Sequence, residues 1–552
     1  MNGPPLDPTL AAPTGPGRRT LSPAWADRIV LGALLVSGVI FVRVLPQYAD
    51  LSLWDETSYL ERGLHLVRDG LPSAQYGPFY SVYLWLLSLV IADPMQIAYA
   101  NQMLVTILLP PAFFLLLRAA RVSLGVAWPL AAFSLLSYAN LHLDTKLAHL
   151  TLIVLMLAAT AALRAPSLAG AVRWLVAGTF LASYFRPENF LAFLLLLPVW
   201  LGAEIRAPRR APAPFPWRPV LLALVLLLLL ARLGAPAFTG GGGRELLAFS
   251  QHYAIRWVEW NHSALNPGYD YAQIVTQAFG PVTSVTQAFR ANPPAFLHHL
   301  TANVADLFTQ SPKIFLLHFQ LPAWIGGGRL KPWDGLALLL ALFTLAILAW
   351  RRHRAQPAAN RHYLLLLPLL VPPALSVLLI FPKYPYVLAL VFLGVAIILA
   401  HTHARVPSGR PWLAVVLGGA LLQLGLTPSL AQTEFTRRTR PVQALVMHLR
   451  GLHLRGELHV LETDGGYNVY LGPTDRMVRH FEKQTGFEAF RHAHDINVII
   501  ASDYLERQDV RFKDDPEWQQ FLHAPGDAGF VRLPLPAGDR WLYVRRDVLP
   551  PS

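Results

Sequence analysis

Apolar segments of nearly membrane-spanning length recur along most of this chain, and they limit what it can fold into. The first runs from Ile29 to Pro46 and contains a single charge, Arg43. A helix needs about 20 mostly apolar residues to cross a bilayer. With 54% hydrophobic and 14% charged residues among 552, the chain is too apolar for an ordinary soluble protein. Further apolar segments follow at 76–92, 96–117, 123–140, 147–163, 172–185, 189–203, 217–237, 333–350, 362–380, 386–401 and 411–428.

Positive charge is concentrated in short loops between these segments. The net charge of +13 therefore reflects orientation signals rather than a nucleic-acid partner, because short basic loops stay in the cytoplasm. We expect a multi-pass protein of the cell (plasma or inner) membrane whose first segment is retained. Loops predicted inside are 164–173, 204–218, 351–361 and 401–410; those predicted outside are 238–332, 381–385 and everything after 430.

The number of crossings is not fixed by this pattern. Counted forward from the first span, 76–92 and 96–117 cannot both cross if Arg118 and Arg121 are cytoplasmic. Either one segment is re-entrant or the count is wrong by one. We predict an odd number of crossings, between 11 and 13.

The fold class that follows is mostly α: a polytopic membrane helix bundle with a small C-terminal α/β domain outside the membrane. Pro441–Arg450 reads as a helix, and the predicted strands are Leu458–Thr463, Asn497–Ser502 and Trp541–Arg545. The predicted domains are a disordered cytoplasmic N-terminus at 1–24, a transmembrane domain at 25–432 with outer loops 47–75 and 238–332, and the α/β domain at 433–552.

Two adjacent carboxylates, Asp55 and Glu56, follow directly on the first span. They are expected just outside the membrane, where a solvated loop with a charged helix start is the alternative to a catalytic role. Asp144 and Lys146 fall in the next predicted outer loop, and His149 follows within one helical turn. These three residues can equally cap or pack a helix, but convergent ionisable groups on an apolar bundle favour a site.

Several motifs together resemble the membrane glycosyltransferases of the GT-C fold. The arrangement is most similar to the group of protein O-mannosyltransferases and lipid A aminoarabinose transferases, families 39 and 83. The sequence differs from related enzymes at Gln75–Pro78, which lacks the basic residue and one proline of a Lys-Pro-Pro or His-Pro-Pro motif. The motifs are Asp55-Glu56, Tyr76-Gly-Pro-Phe-Tyr80, the acidic residue of the second outer loop, Arg186-Pro-Glu188 and Phe381-Pro-Lys-Tyr-Pro-Tyr386.

The resemblance implies inverting transfer of a sugar from a polyprenyl-phosphate-linked donor to a lipid, glycan or protein acceptor on the outer face. Asp55 would act as base, while Glu56 would orient it or help to bind a divalent cation, Mg or Mn. The candidate cations for the donor phosphate are Lys383, ranked first, then Arg186, Lys146 and Arg244. For Arg186, a turn in which it pairs with Glu188 is the alternative. Further candidate site residues are Tyr59, Tyr384 and Tyr386.

Other functions remain open at this stage. A polytopic lipid or sugar transporter (flippase) also uses intramembrane charge and broken helices, and a non-catalytic scaffold is a further alternative. In the C-terminal domain, Asp464–Gly466 and Asp503-Tyr504 follow predicted strands, where open α/β sheets often bind ligands. Turn chemistry explains Asp464–Gly466 equally well. We expect this domain to guide or recognise the acceptor.

Overall fold

The computed structural model is mostly helical and carries a sheet in its C-terminal part. The predicted spans 333–350 and 411–428, the N-terminal 22 residues, Asp144 and the side chain of Tyr384 lie outside the described residues. The structure describes residues 23–43, 46, 50–137, 140, 145–206, 217–236, 243–310, 361–402, 441–463, 465–471, 476–535 and 540–551.

The helices of the apolar region follow the predicted segments closely. They are α1 (Pro23–Val42), α2 (Asp55–Leu64), α3 (Leu66–Asp69), α4 (Pro78–Ser88), α5 (Pro94–Ala119), α6 (Leu124–Leu136), α7 (Leu147–Arg164), α8 (Leu168–Ser183), α9 (Asn189–Arg206) and α10 (Trp217–Leu233). Four helices of the predicted outer loop come next: α11 (Gly243–Asn261), α12 (Tyr271–Phe279), α13 (Val285–Ala291) and α14 (Pro293–Gln310). A 3₁₀ segment (Arg361–Leu370) then continues into α15 (Val371–Leu379), followed by α16 (Tyr384–Thr402).

Within the described residues, five helical segments are long and apolar enough to cross a membrane, and four shorter apolar helices accompany them. The long ones are α1, α5, α7, α9 and the continuous segment 362–379; the shorter ones are α6, α8, α10 and α16. Together with the two predicted spans outside the described residues they would make eleven crossings, the lower end of the predicted range.

Helix α4 resolves the ambiguity in the crossing count. It has 11 residues and is therefore about 16 Å long, roughly half the thickness of the hydrocarbon core. Arg118, at the end of α5, pairs with Asp27, at the start of α1, at 2.8 Å. At its other end α5 is tied to the C-terminal domain, because Asp93 pairs with Arg450 at 2.6 Å. Helix α5 thus runs antiparallel to α1, which leaves no crossing for α4 between them and favours the alternative in which α4 is re-entrant.

The described part of the predicted outer loop 238–332 is largely helical. Helices α11 to α14 bury aromatic side chains against one another and so form a separate small core. Phe249, Tyr253, Phe279 and Phe296 are at its centre. This core holds helices α11 to α14 together.

The C-terminal domain is an α/β fold with five strands in the order β2-β1-β3-β5-β4. β1 pairs in parallel with β2 and β3, whereas β5 is antiparallel to β3 and β4. The strands are β1 (His459–Glu462), β2 (Arg476–Arg479), β3 (Val498–Ala501), β4 (Phe530–Pro534) and β5 (Trp541–Arg545), and the helices are α17 (Pro441–Gly451), α18 (Tyr467–Leu471), α19 (Phe487–Ala493) and α20 (Pro516–His523). The prediction of an α/β domain is confirmed.

We predict from the position of α4 that residue 90 lies on the same side of the membrane as the C-terminal domain. The chain has no cysteine, so single cysteines can be labelled without background. Val90→Cys and Val510→Cys, at positions 87% and 61% exposed, should react with a membrane-impermeant maleimide from the outside. Leu168→Cys, at the start of α8, should react only after the membrane is opened. If Val90→Cys, like Leu168→Cys, reacted only after the membrane is opened, the re-entrant α4 would be contradicted.

Candidate active site

Helix α2 starts at the two adjacent carboxylates because the chain turns sharply at Trp54. Trp54 has φ 62° and ψ −106°, a backbone conformation that L-residues seldom adopt. Its carbonyl accepts from the amide of Ser58 at 3.0 Å and its amide donates to the carbonyl of Gly465 at 2.8 Å. Asp55 and Glu56 therefore occupy the first turn of a helix, where negative charge is favourable.

Consecutive residues on a helix point about 100° apart, so Asp55 and Glu56 do not face the same site. The side of α2 that carries Glu56, Tyr59 and Leu60 is buried, and Gly63 lets α2 approach α4 closely because a Cβ there would lie 2.8 Å from that of Leu84. Glu56 is 5% exposed, whereas Asp55 is exposed. The sequence predicted one pair, and the structure shows two carboxylates in different surroundings.

Glu56 lies in a buried polar network. Its carboxylate accepts from the hydroxyl of Tyr80 at 3.1 Å and from the amide of Asn101 at 2.7 Å. Lys146, which is 2% exposed, interacts electrostatically with Glu56 and donates to the carbonyl of Asn140 at 2.6 Å. Glu56, Asn101 and Lys146 also line a cavity of about 20 Å³, which is room for one water molecule.

Burial raises the pKa of Glu56 above its usual value of 4.5, although hydrogen bonds from Thr145, Tyr80 and Asn101 and the charge of Lys146 partly oppose this. Lys146 is thus placed beside Glu56 in the interior, apart from the other predicted cations. His149, also 2% exposed, lies in the interior near the start of α7.

Asp55 belongs to a different group, which we call the Asp55 cluster: Asp55, Tyr59, Arg186, Arg244, His252, Lys383 and Tyr386. Asp55 interacts electrostatically with Tyr59, His252 and Tyr386. Arg244 donates to the hydroxyl of Tyr59 at 3.4 Å. Six predicted site residues, drawn from α2, α11, the α8–α9 connection and the chain just before and at the start of α16, therefore share one neighbourhood at the start of α2.

The cations of this cluster differ in their partners. Arg186 lies 4.6 Å from the ring centroid of Tyr386 and pairs with Glu188 at 2.5 Å, as the alternative interpretation of its motif predicted. Among the described residues, Arg244 and Lys383 have no carboxylate within 4.0 Å. One terminal nitrogen of Arg244 is buried without a hydrogen-bond partner, and Lys383 is exposed. Arg244 and Lys383 are thus the cations with spare capacity for an anion.

The structure adds two residues, Arg62 and His252, to those selected from the sequence. The guanidinium of Arg62 lies 4.7 Å from the ring centroid of Tyr76, and that of Arg244 lies 5.2 Å from the same centroid. Burial lowers the pKa of His252 to about 4, and the charge of Lys383 acts in the same direction, so His252 is neutral near pH 7. Arg62 follows Tyr59 by three positions on α2, a helical spacing that could have identified it from sequence.

The surroundings of Asp55 and Glu56 also bear on a metal site. In the part of the chain that the structure describes, no three His, Asp or Glu side chains form a group that could hold a metal ion. Glu56 uses its oxygens for Tyr80 and Asn101. The two neighbouring carboxylates therefore do not fit the predicted joint binding of Mg or Mn.

The strand ends of the C-terminal domain contact other parts of the chain. Thr57 donates to the carbonyl of Gly465, just after β1, at 2.6 Å. Tyr269, in the α11–α12 connection, donates to the carbonyl of Thr463 at 2.9 Å and stacks on Tyr504, just after β3, at 3.9 Å. At this sheet end, where the sequence left ligand binding and a turn as alternatives, the strand ends contact α2 and the α11–α12 connection.

We predict that Glu56 makes stability fall as pH rises. A carboxyl whose folded-state pKa is raised contributes stability that is fully present below its unfolded pKa and is lost as pH rises through the folded one. The thermal midpoint of the parent in detergent should therefore decline above pH 4.5 relative to that of Glu56→Gln. Glu61→Gln, on the same helix but partly exposed, is the matched control. Parallel curves for the parent and Glu56→Gln would contradict the assignment.

Comparison with known proteins finds similarity in structure but not in sequence. No family model matches the sequence, and no curated protein matches it. Among solved structures, the chain is similar to the crystal structure of ArnT from Cupriavidus metallidurans bound to undecaprenyl phosphate, at 13% identity and a TM-score of 0.38, over 96% of this chain and 100% of that one. We therefore derive the function from the residues of the site.

Proposed function

We propose that this chain is an integral membrane glycosyltransferase that transfers a sugar from a polyprenyl-phosphate-linked donor to an acceptor on the outer face of the membrane. The observation that carries the proposal is the Asp55 cluster, in which an exposed carboxylate shares its surroundings with Arg244, Lys383, the buried Tyr59 and the half-buried Tyr386 beside a bundle of apolar helices. A lipid-linked donor needs these three features, namely a base, a cation for its phosphate and an apolar path for its tail.

Asp55 suits the role of base. It is exposed, so an acceptor hydroxyl can reach it. As the hydroxyl oxygen attacks the anomeric carbon, Asp55 takes the proton, which typically contributes on the order of 10²–10⁴ in rate. Attack from the face opposite the phosphate inverts the configuration at that carbon.

The leaving phosphate needs fixed positive charge. When the bond between the anomeric carbon and the phosphate oxygen breaks, its electron pair stays on that oxygen, and nearby cations stabilise the charge that develops. Arg244 and Lys383 have no carboxylate partner within 4.0 Å among the described residues, and Arg62 flanks Arg244 across Tyr76. Arg186, paired with Glu188, is better placed to hold Tyr386 than to bind phosphate itself.

The contact between α2 and the C-terminal domain supports a side of approach for the acceptor. Asp55 starts the helix that touches the C-terminal domain through Thr57, so the acceptor reaches Asp55 beside that domain. A lipid, a glycan or a protein hydroxyl meets this requirement. Transfer from a panel of radiolabelled polyprenyl-phosphate sugars in isolated membranes tests the proposal, because a transporter would move such a donor without forming a new glycosidic bond.

We predict that Asp55→Asn reduces transfer by about two orders of magnitude or more while donor binding persists, because the amide keeps the size of the side chain but cannot accept the proton. Glu56→Gln should be milder and should not alter the response to Mg or Mn, since Glu56 lies in the interior. Both variants are assayed in membranes with and without a chelator. Transfer at the parent rate by a folded, inserted Asp55→Asn protein would refute the proposed role.

We predict that Arg244→Gln and Lys383→Met each raise the donor KM by about 10- to 100-fold, the effect of losing one charge-assisted contact. Lys383→Arg should retain part of the donor affinity because it keeps the charge. Lys513→Met, which removes an exposed lysine of the C-terminal domain, is the matched control. An unchanged donor KM in both variants would move the phosphate site to Arg62 and Arg186.

A further inference from the structure

The segment that leads into α2 is bound to the C-terminal domain along its length. The carboxylate of Asp50 accepts from the backbone amides of Val442 and Gln443 at 3.0 and 2.8 Å, at the start of α17. The carbonyl of Ser52 accepts from the hydroxyl of Tyr470 at 2.6 Å. Each contact joins a side chain to the backbone across the interface, and together they limit how far the segment can move against the domain.

The tightest part of this interface lies at the start of α2. Gly465 and Gly466 have φ values of 83° and 116°, which favour glycine. A Cβ on Gly465 would lie 2.7 Å from a ring carbon of Trp54, and one on Gly466 would collide with the hydroxyl of Thr57. The two glycines thus form a surface against which Trp54 and Thr57 sit, and the amide of Trp54 donates to the carbonyl of Gly465.

We infer that the C-terminal domain sets the position of the catalytic carboxylate, and that Thr57 and the Gly465–Gly466 turn are positioning residues for Asp55. The inference rests on the proposed function, in which Asp55 is the base. The sharp turn at Trp54 puts Asp55 at the first position of α2, and this unusual backbone conformation persists because the domain holds both sides of it.

Thr57 is the contact through which this control can be tested. Thr57 follows Asp55 by two residues. Its hydroxyl donates to the carbonyl oxygen of Gly465 at 2.6 Å and lies 3.0 Å from the carbonyl oxygen of Trp54. Thr57 is 1% exposed and does not reach the Asp55 cluster. Loss of its hydroxyl should let the start of α2 shift, and a displacement of about 1 Å in a catalytic group can cost about 100-fold in rate.

The experiment compares Thr57→Val, which keeps the shape but removes the hydroxyl, with Thr57→Ser, which keeps the hydroxyl. Full-length protein in nanodiscs is assayed for transfer and for amide hydrogen exchange over 55–60. Thr57→Val should lower kcat by about 10- to 100-fold and leave the donor KM unchanged. Its amides over 55–60 should exchange faster. Thr57→Ser should keep kcat and the exchange rate of the parent. Thr160→Val, a buried threonine bonded to the carbonyl of Met156 in its own helix, is the control and should behave as the parent.

The outcomes separate this inference from the proposed function. Parent-like kcat and exchange in Thr57→Val, with transfer lost in Asp55→Asn, would overturn the inference alone. A rise in donor KM at unchanged kcat would also overturn it, because the contact would then serve binding. Full transfer by Asp55→Asn would refute the assignment of the base, and with it the positioning of a base, even if Thr57→Val exchanged faster.

Discussion

The angular separation of neighbouring residues on a helix decides how this molecule uses its two adjacent carboxylates. Helix α2 turns Glu56 inward, where Tyr80 and Asn101 bind it, and leaves Asp55 at the surface among the cations. The inner carboxylate anchors the helix, and the outer one is the base in the proposed function. Adjacent positions on one helix thus place a pair of like charges in different surroundings.

Much of the architecture could be predicted because it depends on local pattern. Spans such as α7 and α9 are set by apolar length, and β1, β3 and β5 by runs of apolar and β-branched residues. The edge strands β2 and β4 were missed, since edges carry charge or proline, as Arg476, Arg479 and Pro534 show. The re-entrant helix α4 was undecided because apolar composition alone does not distinguish a short buried helix from a span.

The sequence identified residues of the candidate site but not which of them lie together. Asp55, Lys383 and Arg244 share one cluster, but Lys146 and His149, chosen for the same reason, lie in the interior. Their placement depends on which helices pack together over long sequence separations, and a single sequence contains no direct record of that. The helical spacing between Tyr59 and Arg62 was visible in the sequence, and so was the separation of Asp55 from Glu56, which follows once α2 is placed.

The contacts between the α2 segment and the C-terminal domain are made largely to backbone atoms, including the carbonyls of Ser52 and Gly465 and the amides of Val442 and Gln443. A backbone atom is present whatever the residue. Such an interface tolerates substitution at most of its positions and demands only a few side chains, among them the hydroxyl of Thr57 and the absence of a Cβ at 465 and 466. Related sequences can therefore differ widely at this interface while the α2 segment and the C-terminal domain keep the same relative geometry.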